Sequence, residues 1–235
     1  KHIDRLTIDD LAPIDEFHSR RRKATAELAR MLARPAADHV IDVGSGLTAT
    51  PTLLELEQAE YDVILTWSSS DIAFADASAL GDVLADYVDS GHGVVQAVSS
   101  LSLDPPTGLG GRWRTGSYGA YAPVSIQMGF QPSLVHTQPA HPILAGVAGF
   151  TGGNLSLYFE GAPQGCADVV AHWDNGWPLV ATRLGPNGGR VLALNFYPVS
   201  SGSGNAQLWD PTTTDGALLM ANALRYAAQP VPVVR

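Results

Sequence analysis

The sequence predicts an α/β domain: a parallel sheet flanked by helices, extended late in the chain by an antiparallel β-hairpin. Residues 61–66 (YDVILT) and 93–99 (GVVQAVS) are apolar runs bracketing an amphipathic segment at 76–89. Strand, helix and strand in that order make a crossover unit of a parallel sheet. Asn175-Gly176 stands between apolar runs at 168–173 and 178–183, and both residues tolerate the positive φ of a tight hairpin turn. Finally, 45% of the 235 residues are apolar although Gly numbers 24 and Pro 16, which describes a loop-rich globular chain rather than a disordered one.

Each element has a local reason. In residues 15–32 Phe17, Ala24, Leu28, Met31 and Leu32 recur at helical spacing, and Pro35 ends the helix. Residues 39–43 (HVIDV) form a short buried-strand pattern before the Gly44-Ser45-Gly46 turn. Pro51 suits the first turn of a short helix reaching Glu57. Residues 61–66, apolar on both faces, make a central parallel strand closed by Ser70 or Asp71. Within 76–89, Leu80, Val83, Leu84, Tyr87 and Val88 share a face, and Gly91 caps the helix end. Residues 101–127 are rich in Gly, Pro, Tyr and Ser without periodicity and form a long loop. A strand at 133–136, a turn at His141–Leu144, the hairpin and a buried strand at 189–196 follow. Thr213 or Thr214 caps the closing helix 215–228, whose inward face is Ala217, Leu218, Ala221, Leu224 and Ala228.

Charge separates the chain into two regimes. Residues 1–34 carry eight basic and six acidic groups, whereas the rest carries six basic and 17 acidic, with no Lys after Lys23. The net charge of −9 lacks the basic footprint of a nucleic-acid binder. No apolar run approaches the roughly 18 residues of a membrane helix, and no signal-peptide pattern follows Lys1, so a soluble protein is expected. One cysteine, Cys166, excludes an internal disulfide and a thiolate zinc cluster.

Five phrases give the later part a family likeness: YDVILTWSS, ALGDVLADYVDSGHGVVQA, HPILAGV, GRVLALNFYP and TDGALLMANALRYAA. From about residue 48 to 228 the chain resembles the class I glutamine amidotransferase-like superfamily, including its trehalose-utilisation-like branch. The resemblance implies a flavodoxin-like parallel sheet between helices, with a late antiparallel hairpin. Residues 1–47 instead resemble the leading helix and first strand of a class I S-adenosylmethionine-dependent methyltransferase. Asp42, Gly44 and Gly46 match that family's cofactor turn, but Thr48 replaces its third glycine, and no second strand brings an acid for the ribose. The expected organisation is therefore a methyltransferase-like unit, 1–47, docked on an amidotransferase-like domain, 48–235. A natural fusion, a designed chimera and an assembly artefact all fit that pattern.

The amidotransferase resemblance implies a cysteine nucleophile on the turn after 93–98, with a histidine and an acid behind it. That turn is Ser99-Ser100-Leu101-Ser102. Cys166 lies elsewhere, without a basic neighbour in sequence. No Gly-x-Ser-x-Gly elbow surrounds Ser99, and His136, His141 and His172 sit at turns or on a strand face. The seven histidines show no i, i+4 pair, and Asp210 and Asp215 fit a loop and a helix start, so no metal is expected. What remains is the rim above the strand ends, where open parallel sheets bind ligands. Trp67, Ser68 and Ser69 leave one strand and Ser99 and Ser100 its neighbour, and the loop with Arg112 and Trp113 would fold over them. Hydroxyls beside aromatics suit sugar-like or other neutral polar ligands. The competing expectation is that Trp113, Tyr118 and Tyr121 pack the loop down. The functional expectation is a catalytically silent binding or structural module without a cofactor, with S-adenosylmethionine binding at residues 42–46 as the alternative.

Overall fold

The computed structural model describes residues 40–43, 50–69, 73–131, 133–199, 206–210, 213–229 and 231. The helix predicted at 15–32 and the Gly44-Ser45-Gly46 turn lie outside them. A seven-stranded sheet runs in the order β1-β2-β3-β9-β8-β7-β5. Strands β1 (Val40–Val43), β2 (Val63–Thr66), β3 (Gly93–Ala97) and β9 (Arg190–Leu194) are parallel to one another. The sheet then turns antiparallel through β8 (Pro178–Leu184), β7 (Asp168–Trp173) and β5 (Leu134–His136). Strands β4 (Ile126–Met128) and β6 (Leu157–Phe159) form a separate antiparallel ribbon.

Helix α1 (Leu53–Gln58) starts two residues later than proline preference predicts. Thr52 is its N-cap and exchanges side-chain bonds with Glu55 in a capping box, leaving Pro51 outside the helix. Helix α2 (Ala77–Asp89) is capped by Asp76, whose carboxylate accepts from the N–H groups of Ser78 and Ala79. Gly91 follows its end at φ 99°, as expected for a left-handed stop. The closing helix α4 (Gly216–Ala228) departs from expectation at its start. Asp215 occupies the cap position but turns its carboxylate to the N–H groups of Ala148 and Gly149, and the Thr214 hydroxyl donates to the Asp210 carbonyl.

Two helical layers cover the parallel strands. On one face Leu219, Met220, Ala223, Leu224 and Ala227 of α4 pack on Val63, Leu65, Val95, Ala97, Leu192 and Leu194. On the other, Leu80, Leu84, Tyr87 and Val88 of α2 pack on Ile64, Val94 and Val191. The same face farther along, around Val98, Ala181 and Ala193, is covered by the β4–β6 ribbon through Phe159, Ile126 and Leu157.

The segment predicted as a loop contains a five-residue helix, α3 (Gly111–Thr115), lying along α2. Gly81 permits this approach: a Cβ there would collide with the Gly110 carbonyl and stand 3.1 Å from Trp113 Cβ.

Candidate functional site

The candidate rim lies where β2, β3 and β9 end, because the active turn of the resembled family follows the β3 strand. Its backbone is tied shut. The Ser99 N–H donates to the Ser68 carbonyl at 3.1 Å, and the Ser102 N–H to the Ser99 carbonyl at 2.8 Å. Leu109 N–H then reaches back to the Ser100 carbonyl at 3.1 Å, and the Ser68 hydroxyl donates to the Thr107 carbonyl at 2.6 Å. Residues 101–109 therefore close over the turn.

The serines face inward. Ser99 is 3% exposed and Ser100 2%. Ser100 Oγ stands 2.7 Å from the Ala97 carbonyl oxygen and 3.1 Å from that of Thr66, so its single proton is committed to backbone acceptors. Ser68 is likewise buried and Ser69 half-buried. Trp67 meets Tyr197 edge to face at 5.4 Å, one ring leaving β2 and the other leaving β9. Tyr197 escaped the sequence reading, although it stands in the GRVLALNFYP phrase; only the β3–β9 pairing reveals that the two strands end together.

Arg112 and Trp113 are not brought to this rim as the sequence suggested. Arg112 pairs with Asp86 and Asp89 and bonds the Tyr118 hydroxyl, all near the C-terminal end of α2. That helix crosses back between β2 and β3, so its C-terminus lies at the opposite end of the strands from the rim. Trp113 is 4% exposed and packs with Leu80, Leu84, Val88 and Leu109, while its ring stacks on Tyr118 at 5.7 Å. The geometry instead has Trp113 and Tyr121 packing the loop down, as the competing expectation held.

No described histidine stands near the serines. His172 on β7 and His136 on β5 are three and four strands from β3. At about 4.8 Å per strand this is roughly 14 and 19 Å, against the roughly 3 Å a base needs. His136 Nε2 is 3.0 Å from the Val147 carbonyl and His172 Nδ1 2.6 Å from the Thr137 hydroxyl. His141 caps the 3-10 turn Pro142–Leu144 and packs on Tyr226, beside Arg190 at the start of β9. His92 precedes β3 and stacks on Tyr87 at 4.4 Å. Both therefore lie toward the N-terminal ends of the parallel strands. Cys166 is exposed and precedes β7, three strands from β3.

Among the described residues no three His, Cys, Asp or Glu side chains are placed to hold a metal ion. Asp42 is on β1, in register with Leu65, while Gly44 and Gly46 of the methyltransferase-like turn lie outside the described residues. Among the described residues no helix is long and apolar enough to cross a membrane.

The fold has counterparts in solved structures. A ThuA-like protein of Bacteroides uniformis is 18% identical, with a TM-score of 0.51, covering 75% of this chain and 72% of its own. Another from Parabacteroides merdae is 15% identical at TM-score 0.52, covering 89% and 88%. A cytoplasmic protein of Salmonella typhimurium LT2 is 16% identical at TM-score 0.53, covering 77% of each chain. The likeness is one of fold, an α/β sheet flanked by helices. The fold is flavodoxin-like in its parallel part and extended by antiparallel strands. No family model matches the chain, and comparison with curated proteins found no match. None of these comparisons supports the methyltransferase resemblance of residues 1–47. On this fold the turn after β3 carries Ser99 and Ser100 where the resembled superfamily places its cysteine.

Proposed function

We propose that the chain is a catalytically silent domain on the amidotransferase-like fold, working as a binding or structural module. The observation that carries this reading is the state of the turn after β3. A covalent catalyst needs a nucleophile open to substrate and a base within hydrogen-bond reach. Here Ser99 and Ser100 are buried, Ser100 is bound to strand carbonyls, and the described histidines lie strands away or at the other end of the sheet. The ligand class that suits the rim is small, neutral and polar, such as a sugar, because the Trp67 and Tyr197 rings meet there beside the half-buried Ser69.

Glutaminase and esterase assays test the silence. No turnover is expected, and activity abolished by Ser99→Ala or Cys166→Ala overturns the reading. A carbohydrate array tests the ligand class. Binding should weaken in Trp67→Ala and persist in Arg112→Ala, because Arg112 is held on α2 far from the rim.

A further inference from the structure

Under α3 the sheet carries polar atoms that the rim does not use. Thr66 and Gln96 are in register on β2 and β3, and both are buried, at 0% and 2% exposure. By strand alternation they share the face of Ile64 and Val94, which pack against α2 and Trp113. Gln96 Nε2 donates to the Ser100 carbonyl at 3.3 Å, which fixes the amide and turns Oε1 the other way. That Oε1 has no hydrogen-bond partner, and neither do Thr66 Oγ1 or Trp113 Nε1, all of them buried.

A glycine stands among these atoms. A Cβ on Gly119 would lie 3.2 Å from Gln96 Oε1, 3.3 Å from the Tyr121 carbonyl oxygen and 3.6 Å from Trp113 Nε1. One N–H donor and two oxygen acceptors thus surround a small gap beside the Gly119 Cα, closely bordered at 3.2–3.6 Å from the position a Cβ would take.

We infer that this gap is an internal water site, in which one water accepts from Trp113 Nε1–H and donates to Gln96 Oε1 and to the Tyr121 carbonyl. Buried waters typically make about three hydrogen bonds to buried polar groups. Here Trp113 Nε1 and Gln96 Oε1 lack other partners, and the Tyr121 carbonyl oxygen, which the Gln164 amide reaches at 3.2 Å, has a second lone pair to accept with. The water ties α3 and the loop after it to Gln96, near the end of β3, without itself reaching the rim.

A high-resolution crystal structure and NMR spectra of the full chain test the site. The expected results are a density peak within hydrogen-bond distance of all three atoms and a water cross-peak to the Trp113 indole proton. Gly119→Ala places a methyl group in the gap and should abolish both signals. Gln96→Met removes one acceptor and should also lose the cross-peak, so the test survives if Gly119→Ala fails to fold. A direct Trp113 Nε1 to Gln96 Oε1 bond in the wild-type crystal, no cross-peak in wild type, or a cross-peak kept in both variants would overturn the assignment.

Discussion

Asn195, directly after β9, is 1% exposed and binds a neighbouring strand as a backbone would. Its Oδ1 accepts the Phe159 N–H at 2.6 Å, and its Nδ2 donates to the carbonyls of Phe159 and Pro178 at 2.8 and 2.7 Å. Asn195→Leu leaves one N–H and two carbonyls without these partners. At about 1–3 kcal/mol for each stranded buried group, the loss should be at least about 3 kcal/mol in urea unfolding, and Asn195→Asp, which keeps the acceptor, should not restore it. His141 makes the pH-dependent counterpart. Burial chiefly, then the Arg190 charge, lowers its pKa from the ordinary 6.5, against an opposing pull from Asp168. The neutral ring accepts the Ile143 N–H and packs on Tyr226. Because the folded pKa lies below the unfolded one, the unfolded chain takes up the proton first on acidification. This stability is therefore complete above pH 6.5 and declines below it until the folded pKa is passed. Urea midpoints from pH 8 to 5 should fall more steeply in wild type than in His141→Gln; equal slopes would refute the assignment.

At the scale of elements, α3 shows what holds a five-residue helix in place. Five residues are too few for helix propensity to act alone, so docking must supply the stability. Two contacts compete for the credit: the buried Trp113 indole and the Arg112 ion pairs, whose partners Asp86 and Asp89 are 48% and 31% exposed. Exposed pairs contribute about 0–1 kcal/mol, whereas removing a buried tryptophan costs about 3–5 kcal/mol. Thermal or urea unfolding should place Trp113→Ala far below Arg112→Ala; similar losses would mean that the ion pairs dominate. The same physics explains what was legible in the sequence. Strands β2, β3, β7, β8 and β9 and helices α2 and α4 announce themselves because each repeats an apolar pattern over a run or carries its own turn signal. Strands β4 and β6 have three residues each, too short to show alternation, and they exist because the Asn195 amide and the cluster around Val98 hold them. The position of Trp67, Ser68, Ser99 and Ser100 just past β2 and β3 is legible because each follows an apolar strand run. Arg112 and Trp113 were misplaced because a loop of unknown path has no sequence signal for the end of the sheet it reaches.

On the scale of the whole molecule, β9 joins the two halves of the sheet: it pairs in parallel with β3 and antiparallel with β8. At one edge of the sheet stands β1, the described part of the expected first unit, 1–47, pairing with β2 from Val40↔Val63 to Val43↔Thr66. The expected boundary between residues 47 and 48 therefore does not coincide with a boundary in the sheet, because the strand before it supplies hydrogen-bond partners to the strand after it. Strand β2 is buried throughout. Deleting residues 1–47 would leave one of its edges without a partner, and an unpaired apolar edge is a template for association. The truncated chain should unfold at a lower temperature than the full chain and should scatter light at concentrations where the full chain stays clear. The full chain itself should unfold in one transition, with calorimetric and van't Hoff enthalpies equal. A truncated chain with unchanged midpoint and no association would instead make the first segment an independent appendage that the sheet does not need.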